Sequence, residues 1–356
     1  MLNYVMRNVK IEARMSEKNK TISLKDVAEY CNVSLMTVSR AFRKDSVIKP
    51  ETRAKILNAA EMLNYRCSNR RGRPQSEEKR KPNTQIQLIF GTANTNIVYF
   101  HMRLLTALEQ QLSKFGYDCI IRTATGDYDS FIRLLDNAKH HKCAATMLMG
   151  DFKKEQLETL LGTLPGAILL DNSAENIYDG IYSSFSFDNR QAAIIGTTHL
   201  IKDCKRDKIL LINGLKNHFF SNEILEGYKK SLAEFNIPFD EKLVLHTDFS
   251  ADSAAEALKK FICDGGRFNA IFTNDEMATG VYRILQENNI RIPEDVSVCG
   301  CDDLPVGKQL YPELTSISLN YSELAEQSVA HLLRSDHLTH TVHVKLPPIL
   351  KIGKSS

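Results

Sequence analysis

The sequence predicts two folded parts, a small all-α unit near the N-terminus and a larger α/β body made of two doubly wound lobes. Three observations carry this expectation. The 356 residues suit two or three domains at roughly 100–200 residues each. Residues 67–85, CSNRRGRPQSEEKRKPNTQ, contain no large aliphatic or aromatic side chain and include Gly72, Pro74 and Pro82, which marks a linker. From Ile86 onward, short apolar runs alternate with helix-period segments, the pattern of βαβ units whose parallel sheets are covered on both faces.

The first twenty residues are polar, have no helical apolar stripe and read as a flexible extension. Residues 21–66 follow as the helical unit. Ser23 with Asp26 predicts a capped helix over Leu24–Cys31. Asn32-Val33 supplies a turn, Ser34 caps a second helix through Phe42, and Pro50 opens a third that runs to about Leu63. Ile56, Leu57, Ala60 and Leu63 are expected on the apolar side of the third. In the body, strands are expected at Ile86–Phe90, Cys119–Arg122, Thr146–Met149, Ala167–Leu170, Lys208–Ile212, Leu243–His246, Ala270–Thr273 and Val296–Cys299. Met102–Phe115 and Glu223–Phe235 are among the helices between them. About 270 residues of this kind suit two lobes better than one, with ligands beyond the carboxyl ends of the strands.

Composition narrows the function. With 43% hydrophobic residues the chain can bury full cores, and no apolar stretch reaches the roughly 18 residues of a membrane span. The charged N-terminus has no apolar signal core, so a cytoplasmic protein with no membrane partner is expected. The 8 cysteines read as free thiols. Cys299 and Cys301 have no matching pair elsewhere, and no metal site or cofactor is expected. There is no HExxH, GxSxG, P-loop or GxGxxG after the first strand, and His101, His140, His141 and His218 show no ligand spacing, so an enzyme is not expected. The net charge of +3 hides an asymmetry. Residues 1–82 carry 19 Lys and Arg against 9 Asp and Glu, while the remainder carries 27 against 34. A basic piece on an acidic body is the layout of a nucleic-acid-binding module attached to something else.

The second helix is the informative one. At 100° per residue, Val38 and Phe42 turn inward and Met36 and Arg40 outward. Ser39 and Thr37 lie on the flanks. Such a helix suits a DNA major groove, where hydroxyls bond phosphates, an arginine grips guanine and an apolar side chain touches a thymine methyl. A three-helix protein-binding bundle has the same outline.

The segments ISLKDVAEYCNVSLMTVSRAF and KPETRAKILNAAEMLNY resemble the helix-turn-helix headpiece of the lactose/galactose repressor family, with V-S-x-x-T-V-S-R as the most specific run. Further counterparts follow in order: FSFDNRQAA, ILEGYKKSLAEFNI, TDFSADSAAEAL, AIFTNDEMATG, IPEDVSVCGCDD and PELTSISL. The resemblance implies a homodimeric or larger DNA-binding regulator, a repressor in most relatives, acting on a pseudo-palindromic operator. It implies a sugar-binding-protein fold over 86–356, of the periplasmic-binding-protein type, with lobes of about 86–187 plus 321–345 and 188–318 plus 346–356. By resemblance, Leu35, Met36 and Arg40 are base-reading positions, and Ser34, Thr37, Ser39 and Thr52 contact the DNA backbone. Lys49 stands where relatives have a small polar residue, losing a cap and gaining a phosphate partner. Effector positions fall on Asp171, Asn274, Asp302, Phe249 and Tyr321, with Asn222 where many sugar-responsive members have arginine. Loss of that guanidinium argues against an anionic ligand, and a neutral sugar or glycoside is expected.

The linker departs most from the family. Cys67-Ser68 replaces Pro-Asn, and the stretch around Arg70-Arg71-Gly72-Arg73-Pro74 replaces a short apolar hinge helix. Arg71-Gly72-Arg73-Pro74 resembles an AT-hook, an extended peptide along a narrow A·T-rich minor groove. Glycine allows close approach, proline favours an extended chain, and the groove's negative potential attracts the arginines. An A·T-rich operator centre is therefore expected.

Overall fold

The computed structural model describes residues 23–42, 48–63, 65, 84–92, 99–141, 143–175, 177–216, 218–334 and 338–356. The chain divides into two compact units, Met1–Arg80 and Lys81–Ser356.

In the first unit α1 spans Leu24–Cys31, α2 Leu35–Ala41 and α3 Pro50–Met62. Ser23 and Asp26 form a reciprocal capping box, in which the Ser23 backbone N–H donates to Asp26 Oδ2 at 2.8 Å. Asn32 ends α1 in the left-handed conformation (φ 55°), which asparagine tolerates. Two residues later Ser34 caps α2 by accepting the Thr37 N–H at 3.1 Å. Pro50 occupies the first turn of α3, where its missing N–H costs nothing. Val27, Cys31, Val38, Ile56, Ala59, Ala60 and Leu63 close the core. Leu57, expected inside, is 42% exposed, and Ala59 takes its place. The stripe is i, i+3, i+4, i+7 from Ile56, and Leu57 lies one 100° step off it.

The second unit contains two six-stranded sheets. The first uses β1 (Gln85–Thr92), β2 (Asp118–Thr125), β3 (Ala145–Asp151), β4 (Ile168–Leu170), β5 (Ser183–Phe187) and β11 (His343–Leu346), in the order β11-β5-β4-β3-β1-β2, all parallel. The second uses β6 (Ile209–Asn213), β7 (Val244–His246), β8 (Ala270–Phe272), β9 (Ser297–Cys301), β10 (Thr315–Ser318) and β12 (Ile349–Lys351), in the order β12-β10-β9-β8-β6-β7. Only β12 runs antiparallel, on β10. The connecting helices are α4 (Tyr99–Lys114), α5 (Tyr128–His140), α6 (Lys154–Thr163), α7 (Asn189–Lys202), α8 (Phe219–Glu234), α9 (Ala251–Cys263), α10 (Asp275–Glu287) and α11 (Tyr321–Leu332). β6 is buried along its whole length, because helices cover both faces of its sheet. Between sheets the chain crosses after β5, after β10 and after β11.

Close helix contacts depend on glycine at two places. A Cβ on Gly227 of α8 would lie 2.2 Å from the Arg190 carbonyl oxygen of α7, and one on Gly280 of α10 would lie 1.9 Å from that of Ala251 of α9. Backbone cannot yield as a flexible side chain does. Gly280→Ala should therefore destabilise the second unit by about 1–3 kcal/mol, lowering its urea midpoint; an unchanged midpoint would show that α9 and α10 separate freely.

Candidate functional site

On α2, Leu35 and Met36 are 51% and 63% exposed, and Arg40 is exposed one turn after Met36. Val38 is fully buried beneath them. Ser34 and Thr37 join hydroxyls at 2.7 Å. Thr37, Ser39 and Thr52 are half-buried, while Lys49 is exposed at the start of α3 and forms no side-chain cap. Arg53 Nε donates to the Ala41 carbonyl at 3.1 Å, fixing α3 against the end of α2. The α2 face thus has two apolar side chains, a guanidinium and flanking hydroxyls on a helix held by its own cap and core. Arg70, Arg71, Gly72 and Arg73 lie outside the described residues.

In the second unit, a cleft of about 700 Å³, open solvent included, lies between the lobes. Its walls are segments that leave the carboxyl ends of strands, as doubly wound sheets require. From the first lobe come Phe100 and His101 at the start of α4, Met149 and Gly150 at the end of β3, and Asp171 with Asn172 after β4. From the second come His218, Phe219 and Phe220 before and in the first turn of α8, Asp248 and Phe249 after β7, Asn274 after β8 and Asp302 after β9.

Three of these wall residues hold left-handed backbone without being glycine: Asp171 (φ 48°), Phe249 (φ 69°) and Asp302 (φ 105°). Each such residue costs on the order of 1–3 kcal/mol, and such strain clusters at binding sites. Asn274 Oδ1 accepts the Met277 N–H at 2.8 Å, so the residue caps α10 and leaves its amide N–H groups for a ligand. Asp302 is buried, and its Oδ1 has no hydrogen-bond partner. An orphaned buried carboxylate oxygen in a cleft wall is unfavourable until something donates to it.

Of the remaining expected effector residues, neither Tyr321 nor Asn222 lines the cleft. Tyr321 is buried one layer behind, where its hydroxyl donates to the Asp302 carbonyl at 3.1 Å and its ring packs on Phe187 and Phe100. Asn222 is exposed in the first turn of α8. Sequence reading missed His101, His218 and the aromatic run Phe219-Phe220. The two histidines are 117 positions apart in sequence, and only the lobe closure brings both to one cleft. His218 stacks edge-on against Phe249 at 5.0 Å and its Nδ1 is buried without a partner; His101 packs edge-on against Phe90 at 4.9 Å.

Burial governs the titration of this region. It pushes the Asp171 carboxyl up to about 6, against hydrogen bonds that favour its charge. Burial pushes Asp275 up to about 7, although the Ser316 hydroxyl and the Leu304 N–H both donate to it at 2.6 Å. Asp302 is raised well above the carboxylate range by burial, and then by the charges of Asp275 and Asp171. His101 is pushed down to about 4 by burial and by the charge of His218; burial also lowers His218, which Asp151 opposes. The acids take up protons on folding, so their contribution to stability is lost as pH rises through their folded values. The two histidines act in the opposite sense, and their effect fades over about one unit above their ordinary value of 6.5. Between pH 6.5 and about 8 Asp275 and Asp302 dominate. The urea midpoint should fall across that window, and Asp275→Asn should flatten the fall; a midpoint that rises would contradict the buried-acid account.

A profile described as bacterial regulatory proteins, lacI family, matches residues 23–68, and one described as a periplasmic binding protein-like domain matches residues 197–356. Among curated relatives, catabolite control protein A of Priestia megaterium is 28% identical over 83% of this chain and 87% of its own length. The ribose operon repressor of Haemophilus influenzae is 26% identical over 88% of this chain and 91% of its own. Among solved structures, the transcriptional regulator CelR–cellobiose complex superposes with a TM-score of 0.69 at 23% identity, covering 94% of this chain and 100% of that one. The lac repressor dimer bound to operator and the anti-inducer ONPF does so with a TM-score of 0.68 at 24% identity, covering 94% and 99%. A capped helix-turn-helix with an exposed face, followed by a two-lobed cleft domain, agrees with these matches: the chain joins a lacI-family helix-turn-helix domain to a periplasmic-binding-protein-like domain.

Proposed function

We infer that this chain is a cytoplasmic DNA-binding repressor, active as a homodimer or larger assembly, whose hold on a pseudo-palindromic operator is set by a sugar or glycoside in the cleft. The observation that carries this reading is the pairing, in one chain, of an outward-facing α2 with a strained cleft whose Asp302 oxygen awaits a donor. No helix among the described residues is long and apolar enough to cross a membrane. In this reading Leu35, Met36 and Arg40 read base edges, and Ser34, Thr37, Ser39, Lys49 and Thr52 hold the phosphates. With Leu35 and Met36 apolar, the first readers select thymine methyls rather than hydrogen-bonding edges. The linker arginines Arg70, Arg71 and Arg73, with Gly72, follow the minor groove over an A·T-rich centre.

Operator selection from random duplexes with the full chain tests the DNA reading. Arg40→Ala should cost about 1–3 kcal/mol of specific affinity and relax one base pair per half-site. Uniform weakening on every duplex would reassign Arg40 to phosphate. In the same assay, Arg71→Ala with Arg73→Ala should weaken A·T-centred sites far more than G·C-centred ones; equal loss would reduce the linker to an electrostatic tether.

The effector reading is tested by release of the selected operator in a panel of mono- and disaccharides and glycosides. Asn274→Ala should abolish the response to the active sugar while leaving operator binding in its absence intact, because a ligand shifts an equilibrium only through differential affinity for its two states. A normal response in the variant would move the effector out of the cleft.

A further inference from the structure

We propose that the cleft is built for an effector that carries a protonated amine, an amino sugar being the form that also fits the sugar reading on which this inference rests. Among the described residues the cleft wall is acidic, and its two bases, His101 and His218, are held toward the neutral form by burial. Asp171, Asp248 and Asp302 stand in its wall, and Asp275 and Glu276 act on Asp302 from behind. None of the described wall residues is Lys or Arg. The undescribed stretch between β1 and α4, residues 93–98, and Asn217 before His218 contain no basic residue either.

The nearest cations are already engaged at the hinge. Arg103 of α4 donates to the Asp303 carbonyl and lies 4.5 Å from the centre of the Tyr321 ring. Lys351 of β12 pairs with the Asp303 carboxylate at 2.5 Å, where the Ser318 hydroxyl also donates at 2.9 Å. No basic side chain among the described residues offsets Asp171 or Asp302. Asp302 is only 3% exposed, yet its Oδ1 faces no donor.

Four phenylalanines share the wall with the acids. Phe100, Phe219, Phe220 and Phe249 surround the same space. A neutral sugar can donate hydroxyls to the carboxylates, but it leaves their charge uncompensated in a closed apolar cleft, so it closes only on the protonated acids. An ammonium group brings the missing charge and three N–H donors, and its cationic face suits the negative faces of aromatic rings. The unpartnered Oδ1 of Asp302 and the lack of Lys or Arg in the described wall favour a cationic ligand over a neutral one.

Matched pairs separate charge from shape. Isothermal titration of the full chain with D-glucosamine, D-glucose and N-acetyl-D-glucosamine compares one amine with two uncharged twins. Ethanolamine against propan-1-ol repeats the comparison without a sugar ring. In at least one set the cation should bind about tenfold tighter or more than its neutral twin, and Asp302→Asn should bring the ratio toward one. Asp171→Asn supplies the same readout if Asp302→Asn fails to fold. Preference for a neutral twin, a ratio unchanged in both variants, or no binding by either cation overturns the proposal. Neutral-sugar preference would leave the sugar reading standing, whereas ethanolamine binding with no sugar response would leave only the cationic site.

Discussion

Two parallel sheets that direct their carboxyl ends at one another set most of what this chain can do. A parallel sheet needs a helix on each face, so its central strands are mostly apolar and the side chains free to meet a ligand stand at the strand ends. The first sheet ends on Gly150 and Asp171, and the second on Asn274 and Asp302. The three crossings hold those ends close together, because β11 returns to the first sheet and β12 to the second. The cleft is thus a consequence of connectivity before any ligand is considered. What the sequence adds is the choice of acids and aromatic rings at those ends.

That choice is costly for the folded state, and the surrounding structure shows how it is tolerated. Asp302 holds a left-handed backbone and a buried carboxylate at once. Its carbonyl is gripped by Tyr321, which Phe187, Phe100 and Arg103 hold from three sides. Asp275 is satisfied by Ser316 and Leu304, and Gly300 leaves room for its carboxylate, since a Cβ there would come within 2.1 Å of Oδ1. Tyr321 and Arg103 are therefore positioning residues. They touch the strained segment, not the ligand space, and they belong to the first lobe while Asp302 belongs to the second. A change in the cleft is felt at a contact between lobes, which is the physical requirement for converting ligand binding into a change of lobe arrangement.

Much of this was legible in the sequence, for identifiable reasons. The headpiece helices could be read because caps and turns are local: Ser23 with Asp26, Asn32, Ser34 and Pro50 each act within four residues. The long apolar strands β1, β3 and β6 could be read because burial on both faces leaves continuous runs. Strand β5, Ser-Ser-Phe-Ser-Phe, was not among the expected runs, because its serines are buried by neighbours distant in sequence, such as His343, which meets Ser184 at 2.9 Å. Tyr321 was assigned to the ligand and stands behind it, since family position fixes a place in the chain and not the depth of a side chain. His101 and His218 had no local signature. Their meeting is a property of lobe closure, which no window of sequence contains.

The two units present opposite electrostatic problems, and the solutions are complementary. The first carries excess positive charge, which affinity for a polyanion demands. The second carries excess negative charge and hides part of it at the cleft, where each buried carboxylate raises the others. A ligand that stabilises the ionised cleft acids changes the free energy of one lobe arrangement relative to another by the amount of charge it compensates. Differential affinity between arrangements is the sole lever an effector has. In this chain Asp171 and Asp302, buried acids on left-handed backbone in opposite walls of the cleft, stand where such a difference can be made.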